Sequence, residues 1–214
     1  PDASGDALVK VVIVLGGVAP GSTLLNWRMQ EADFSIAADA GMKVFDEVGL
    51  EPDLLIGDMD SFTLGEAPLA CEVERIENQD RTDFQKALDR PEVRNAEEVV
   101  ILGGTGGRSD HFLNNLMIAA GLPAVMKVRF DAEGEIIHRV TSESALCLQG
   151  LTGQIVSLIP VGFCEGVTAT GFRWPLVAID MGPGRALSQS NVAEADECEV
   201  RLVSGTLYVV ILKH

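Results

Sequence analysis

Three short runs place aspartates at spacings that suit a hard cation. Ala38-Asp39-Ala40-Gly41 and Gly57-Asp58-Met59-Asp60-Ser61 each close an apolar run, and Asn78-Gln79-Asp80-Arg81-Thr82-Asp83 opens an amphipathic one. Carboxylate oxygens are the ligands Mg²⁺ prefers, and the ion keeps part of its shell for water and substrate phosphates. Asp58 and Asp60 stand two apart, so an extended backbone would turn both side chains the same way. An aspartate after a strand also serves as a turn former or helix cap. That explanation is weaker for the pair, because Gly57 and Ser61 already supply what a turn needs. Asp80 is placed to cap the helix that follows, with Asp83 projecting toward the same edge.

A second chemistry is written in Gly103-Gly104-Thr105-Gly106-Gly107-Arg108-Ser109-Asp110-His111. Glycines let backbone N–H groups approach an anion, the start of a helix adds positive potential, and Arg108 offers a planar fork to a phosphate. No Gly-Lys-Ser/Thr follows and the glycine spacing is not that of a dinucleotide fingerprint, so neither common nucleotide loop is present. His111 titrates near neutrality, but at a helix start its expected role is a hydrogen bond to a neighbour. In the last third, Trp174 reads as a core side chain and Ser190-Asn191 as a turn.

These residues need elements to hold them. Residues 8–17 form a β-branched run ending in glycines, followed by a helix over 21–31, a strand over 34–38 and a helix over 42–48 stopped by Gly49. Strands are expected at 54–56, 72–76 and 98–102, and helices at 82–89 and 111–120. Alternation of this kind implies a parallel sheet covered by helices, a three-layer α/β/α domain over 1–121 whose ligands sit beyond the carboxyl ends of the strands. After Gly121-Leu122-Pro123 the texture becomes short strands, at 125–130, 135–140, 145–148, 154–159, 166–170 and 206–212, separated by turns. Residues 122–214 therefore read as a β-rich domain, a sandwich or partial barrel.

Composition bounds the partners. At 47% hydrophobic and 22% charged, the 214-residue chain has the balance of a packed globular protein. A net charge of −16, most of it before residue 122, repels nucleic acid backbones and acidic lipid surfaces. No apolar run approaches the ~20 residues that span a bilayer, and no secretory leader is read in it. The four cysteines form no CxxC pair, so reduced thiols in a cytoplasm are expected.

Taken in order, Ala38-Asp39-Ala40-Gly41, Gly57-Asp58-Met59-Asp60-Ser61, Asp80-Arg81-Thr82-Asp83 and Gly106-Gly107-Arg108-Ser109-Asp110-His111 resemble the thiamine pyrophosphokinase family. The likeness extends to Gly171-Phe172-Arg173-Trp174-Pro175-Leu176 and Ser190-Asn191. It departs at Ala40, where the family usually has a second glycine. The resemblance implies an α/β catalytic domain followed by a β-sandwich, paired as a homodimer with thiamine near the subunit interface. It implies transfer of the pyrophosphoryl group of ATP to the thiamine hydroxyl, with Mg²⁺. By motif position, Asp39, Asp58, Asp60 and Asp83 would be metal or catalytic carboxylates, with Asp60 or Asp83 taking the hydroxyl proton. Asp39, Gly41, Asp80, Gly106, Gly107, Arg108, Asp110 and His111 would meet ATP, and Gln79, Asp83, Ser190 and Asn191 thiamine. A metal-dependent nucleotide-sugar transferase and a non-catalytic nucleotide or thiamine sensor are the other readings these residues allow.

Overall fold

The computed structural model describes residues 9–59 and 70–213. The chain divides into two compact units, Pro1–Ile118 and Ala119–His214. The first runs β1 (Lys10–Val14), α1 (Ser22–Glu31), β2 (Phe34–Ala38), a 3₁₀ turn (Asp39–Gly41), α2 (Met42–Val48), β3 (Leu54–Gly57), β4 (Glu72–Arg75), α3 (Asp83–Leu88), α4 (Pro91–Arg94), β5 (Glu98–Leu102) and α5 (Ser109–Ala120). Its strands pair in parallel in the order β4-β3-β2-β1-β5. Because the chain leaves β1 toward β2 and returns on the other side as β5, the order reverses between β1 and β5, where open α/β sheets leave a crevice.

Alternation along the strands splits their side chains between two faces. Val12, Val14, Ala37, Leu55, Val100 and Leu102 form one core with Leu24 and Leu25 of α1 and Met42, Val44 and Phe45 of α2. Ile13, Ile36, Leu54, Ile56 and Ile101, also fully buried, point the other way, and α3 packs against β2 and β3 through Phe84, Ala87 and Leu88. The sheet is therefore apolar on both faces and covered on both, as its near-continuous aliphatic strands require.

Strand pairs within the second unit are antiparallel. It runs β6 (Lys127–Asp131), β7 (Glu135–Thr141), β8 (Leu146–Gln149), β9 (Ile155–Thr170), β10 (Leu176–Met181), β11 (Ser188–Val192), β12 (Glu197–Arg201) and β13 (Ser204–Leu212). The first half of β9 pairs with β13 and β11, and its second half with β10 and β12. One strand thus serves two sheets, whose inner residues, among them Val156, Leu158, Val209, Val167, Ala169 and Val200, share one core. This is a sandwich. Two strands were expected where β9 is one, because Gly162 and Gly166, at φ 74° and 60°, read as turn residues and instead bend a continuous strand between sheets. β10, β11 and β12 were not anticipated. Four consecutive residues of β10 are exposed, so it has no alternation to detect.

Two readings in this unit are corrected. Ser190-Asn191 lies inside β11 rather than in a turn. Trp174 is 57% exposed, not core, with the Arg173 guanidinium 5.7 Å from its ring. A feature with no sequence signal is Arg139, 3% exposed, which donates to the carbonyls of Ala119, Leu122, Pro123 and Met126 at 2.6–3.0 Å. Four backbone acceptors in place of a carboxylate take up the two terminal nitrogens of the buried fork, leaving Nε unmatched, and fix the turn over 119–126. All four cysteines are free, and burial pushes the Cys164 and Cys198 thiols up. Among the described residues, no helix is long and apolar enough to cross a membrane.

Candidate active site

The carboxyl edge of the first unit's sheet gathers the aspartates. Asp39 follows β2 directly, Asp58 follows β3, and Asp83 is the first residue of α3. One carboxylate oxygen from each lies within 4.8 Å of the others. Residues 39, 58 and 83 are remote in the chain, so only parallel strands ending on one edge, with α3 laid across β2 and β3, could bring them together. Asp60 and Ser61 lie outside the described residues. The extended backbone expected after Asp58 does not persist, since Met59 has φ 65°.

Each acid is held differently. Asp39 is 4% exposed, has φ 41°, and its Oδ1 has no hydrogen-bond partner. A buried anionic acceptor left unmatched is costly unless a cation completes it, and a left-handed aspartate is strain of the kind that gathers at working sites. Asp58 Oδ2 accepts from Gln79 Nε2 at 2.6 Å. Asp83 Oδ1 accepts from Lys86 Nζ at 2.8 Å, and the lysine side chain is only 3% exposed. Hard oxygen donors converging at this range, one of them orphaned, fit a divalent ion such as Mg²⁺.

Glycines set the spacing. A Cβ at Gly57 would lie 2.8 Å from Asp39 Cβ and 3.3 Å from Asp83 Oδ1, so glycine there lets two of the acids close on β3. A Cβ at Gly41 would lie 2.0 Å from the Val14 carbonyl oxygen, so this position is required by the packing of the 3₁₀ turn on β1. The Ala40 methyl occupies space that a side chain at Gly16 would need, 2.5 Å from a Cβ built there. Glycine at 16 therefore accommodates the alanine at 40.

Asp80 does not cap α3. Thr82 does, its hydroxyl accepting from Gln85 N at 3.2 Å while the Gln85 side chain accepts from Thr82 N at 3.0 Å, a reciprocal capping box. Threonine wins because it stands immediately before the helix. Asp80 N–H instead donates to Asn78 Oδ1 at 2.7 Å in an exposed turn.

The glycine-rich loop leaves β5 beside the loop after β1. Gly17 N–H donates to Gly103 O at 2.8 Å, and Asn115 of α5 donates to Gly104 O at 3.0 Å. Gly106 to His111 is exposed. Arg108 and Asp110 form a two-bond pair at 3.1 and 2.6 Å, which lowers the exposed Asp110 carboxyl to about 2. In the second unit, Ser190 (φ 58°) donates its N–H to Ser157 Oγ at 2.9 Å. Asn191, 1% exposed, accepts from Trp174 N at 3.1 Å and donates to Trp174 O at 2.8 Å, so its amide holds the 171–176 segment.

Comparison with known proteins gives this geometry a family. A model described as thiamin pyrophosphokinase, catalytic domain, matches residues 25–128, and one described as thiamin pyrophosphokinase, vitamin B1 binding domain, matches 138–207. A thiamine pyrophosphokinase of Bacillus subtilis (strain 168) is 30% identical over 84% of this chain and 87% of its own. The chain belongs to the thiamine pyrophosphokinase family. Thiamine pyrophosphokinase 1 of Oryza sativa subsp. japonica is 27% identical over 100% of this chain and 91% of its own. Among solved structures, a thiamine pyrophosphokinase from Bacillus subtilis superposes with a TM-score of 0.79 at 26% identity, covering 96% of this chain and 99% of that one. The yeast thiamin pyrophosphokinase, at 16% identity and a TM-score of 0.76, shares the fold.

Sequence reasoning missed Lys86 and the close approach at Gly57. Asp83 and Lys86 do stand three apart in a helix, the spacing of an ion pair. Such pairs are ordinarily solvated, and nothing local reveals that this lysine is buried.

Proposed function

We propose that the chain transfers the pyrophosphoryl group of ATP to the hydroxyl of thiamine, releasing AMP. The observation that carries this reading is the convergence of Asp39, Asp58 and Asp83 on one sheet edge, with an orphaned oxygen on Asp39. Those three, with Asp60, would hold Mg²⁺, which when bound neutralises charge on the polyphosphate. The first unit is then the nucleotide- and metal-binding domain, and the second contributes to thiamine binding and dimerisation.

The chain's own residues supply alignment and charge, which is most of what phosphoryl-group transfer asks of a protein. The thiamine hydroxyl oxygen bonds to the β-phosphorus as the bond from that phosphorus to the bridging oxygen breaks, and AMP takes the electron pair. Asp83, through the oxygen not bonded to Lys86, or Asp60 accepts the hydroxyl proton. Asp39, Gly41, Asp80, Gly106, Gly107, Arg108, Asp110 and His111 form the ATP contacts, with Arg108 exchanging its exposed carboxylate partner for phosphate oxygens. Gln79, Asp83, Ser190 and Asn191 are the thiamine contacts. Gln79 anchors Asp58 as well, and Asn191 contributes by holding Trp174. A homodimer is supported by the exposed Phe163, Trp174, Val177, Leu187 and Val203 of the second unit, and sedimentation equilibrium reads it.

The test is incubation with ATP, Mg²⁺ and thiamine. AMP and thiamine diphosphate are expected in equal amounts, and Asp39→Asn should lower the rate about 100-fold or more, on the scale of losing one transition-state charge contact. Formation of ADP in place of AMP, or a full rate in Asp39→Asn at saturating Mg²⁺, would overturn the reading.

A further inference from the structure

Two of the three clustered acids are held by a hydrogen-bond donor, and the donors differ in one respect. Gln79 holds Asp58 with a neutral amide, and Lys86 holds Asp83 with an ammonium. Lys86 also occupies a helix position whose neighbours Phe84, Ala87 and Leu88 are buried and apolar, and it is itself 4% exposed. Burying a charge there is hard to justify on stability, since a well-packed apolar side chain at such a site is generally as good or better. The ammonium bonds Asp83 Oδ1, the oxygen that a Cβ built at Gly57 would meet at 3.3 Å beside Asp39.

We infer that Lys86 is a positioning residue whose charge sets how strongly the cluster holds a divalent ion. By cancelling one of the three negative charges, it weakens the cluster's grip on a bare cation, so that firm binding awaits the negative charge of a polyphosphate. This rests on the cluster being the metal site proposed above. Two effects oppose each other when the lysine is lost: Asp83 becomes freer to rotate, which weakens binding, and a full positive charge leaves the neighbourhood of a dication, which strengthens it. Full charges a few ångströms apart in a half-buried site interact more strongly than the ordering of one short side chain, so the charge effect prevails.

The experiment measures Mn²⁺ binding to the nucleotide-free protein by the electron paramagnetic resonance of the free ion, in wild type, Lys86→Gln, Lys86→Met and Lys86→Arg, with thermal unfolding as the check on folding. Gln keeps a donor for Asp83 and removes the charge, Met removes both at similar length, and Arg keeps the charge. Both uncharged variants should bind Mn²⁺ about tenfold or more tightly than wild type, equivalent to about 1.4 kcal/mol, and Lys86→Arg should stay within about threefold of it. In turnover the uncharged variants should need less Mg²⁺ for half-activation. Equal or weaker Mn²⁺ binding in whichever uncharged variant folds overturns the inference. Asp39→Asn in the Lys86→Gln background separates the two levels: it must weaken Mn²⁺ binding if the cluster is the metal site, and if it does not, the site assignment itself fails.

Discussion

Replacing Gly57 by alanine tests whether the acids must touch across β3. The new Cβ would stand 2.8 Å from Asp39 Cβ and 3.3 Å from Asp39 Cα, against the roughly 3.5–4.0 Å at which carbons rest. Asp39 must therefore retreat by about 0.7–1.2 Å, and Asp83 Oδ1, at 3.3 Å, must give way as well. Metal–ligand distances tolerate about 0.2 Å, and a misplacement of about 1 Å can cost about 100-fold in rate. The substitution also strains the backbone, since Gly57 has φ 156°, at a cost of about 1–3 kcal/mol. Gly49→Ala separates the two contributions. Gly49 ends α2 at φ 68° with nothing within 4 Å of its built Cβ, so alanine there brings strain of about 1–2 kcal/mol and no collision. Thermal unfolding should fall by a few degrees in both variants, at about 2–4 °C per kcal/mol for a chain this size. AMP release should fall about 100-fold only in Gly57→Ala, with a raised Mg²⁺ requirement. If Gly57→Ala turned over within about threefold of wild type, the claim that these carboxylates work as a tightly spaced set would be refuted.

Two further outcomes follow from the same structure. Arg139→Met should destabilise the protein by about 3 kcal/mol or more, because four carbonyls lose a charged donor at once; chemical denaturation reads it, and a loss below about 1 kcal/mol would show that water replaces the fork. Asp110, lowered to about 2 by Arg108, should titrate near there by carboxyl NMR and return toward its ordinary 3.8 in Arg108→Gln. Its pKa is depressed in the folded state, so what the pair contributes is present above about 4 and fades as pH falls toward 2. Rates measured between about pH 5 and 9 should therefore show no inflection from Asp110, and an inflection abolished by Asp110→Asn would contradict that.

Much of the α/β unit could be read from residue order, because its signals are local. β2, β5 and α2 begin and end where aliphatic runs meet Asp39, Gly103 and Gly49, and a strand buried on both faces writes itself as an unbroken apolar run. The sandwich was harder. β9 alternates at both ends but carries glycines where its middle breaks the pattern, and β10 exposes four residues in a row, so the first reads as two strands and the second as none.

The chemistry divides in the same way. Which residue types could bind a cation or a phosphate was written in the chain, since Asp39, Asp58, Asp83 and Arg108 are what they are in any conformation. That three of the acids lie within 4.8 Å, that Asp39 is left with an unmatched oxygen, and that a buried lysine stands behind Asp83 were decided only by the tertiary structure. Burial and distance between residues 39, 58 and 83 depend on how parallel strands align and where α3 crosses them. Those are properties of packing, and no window of sequence contains them.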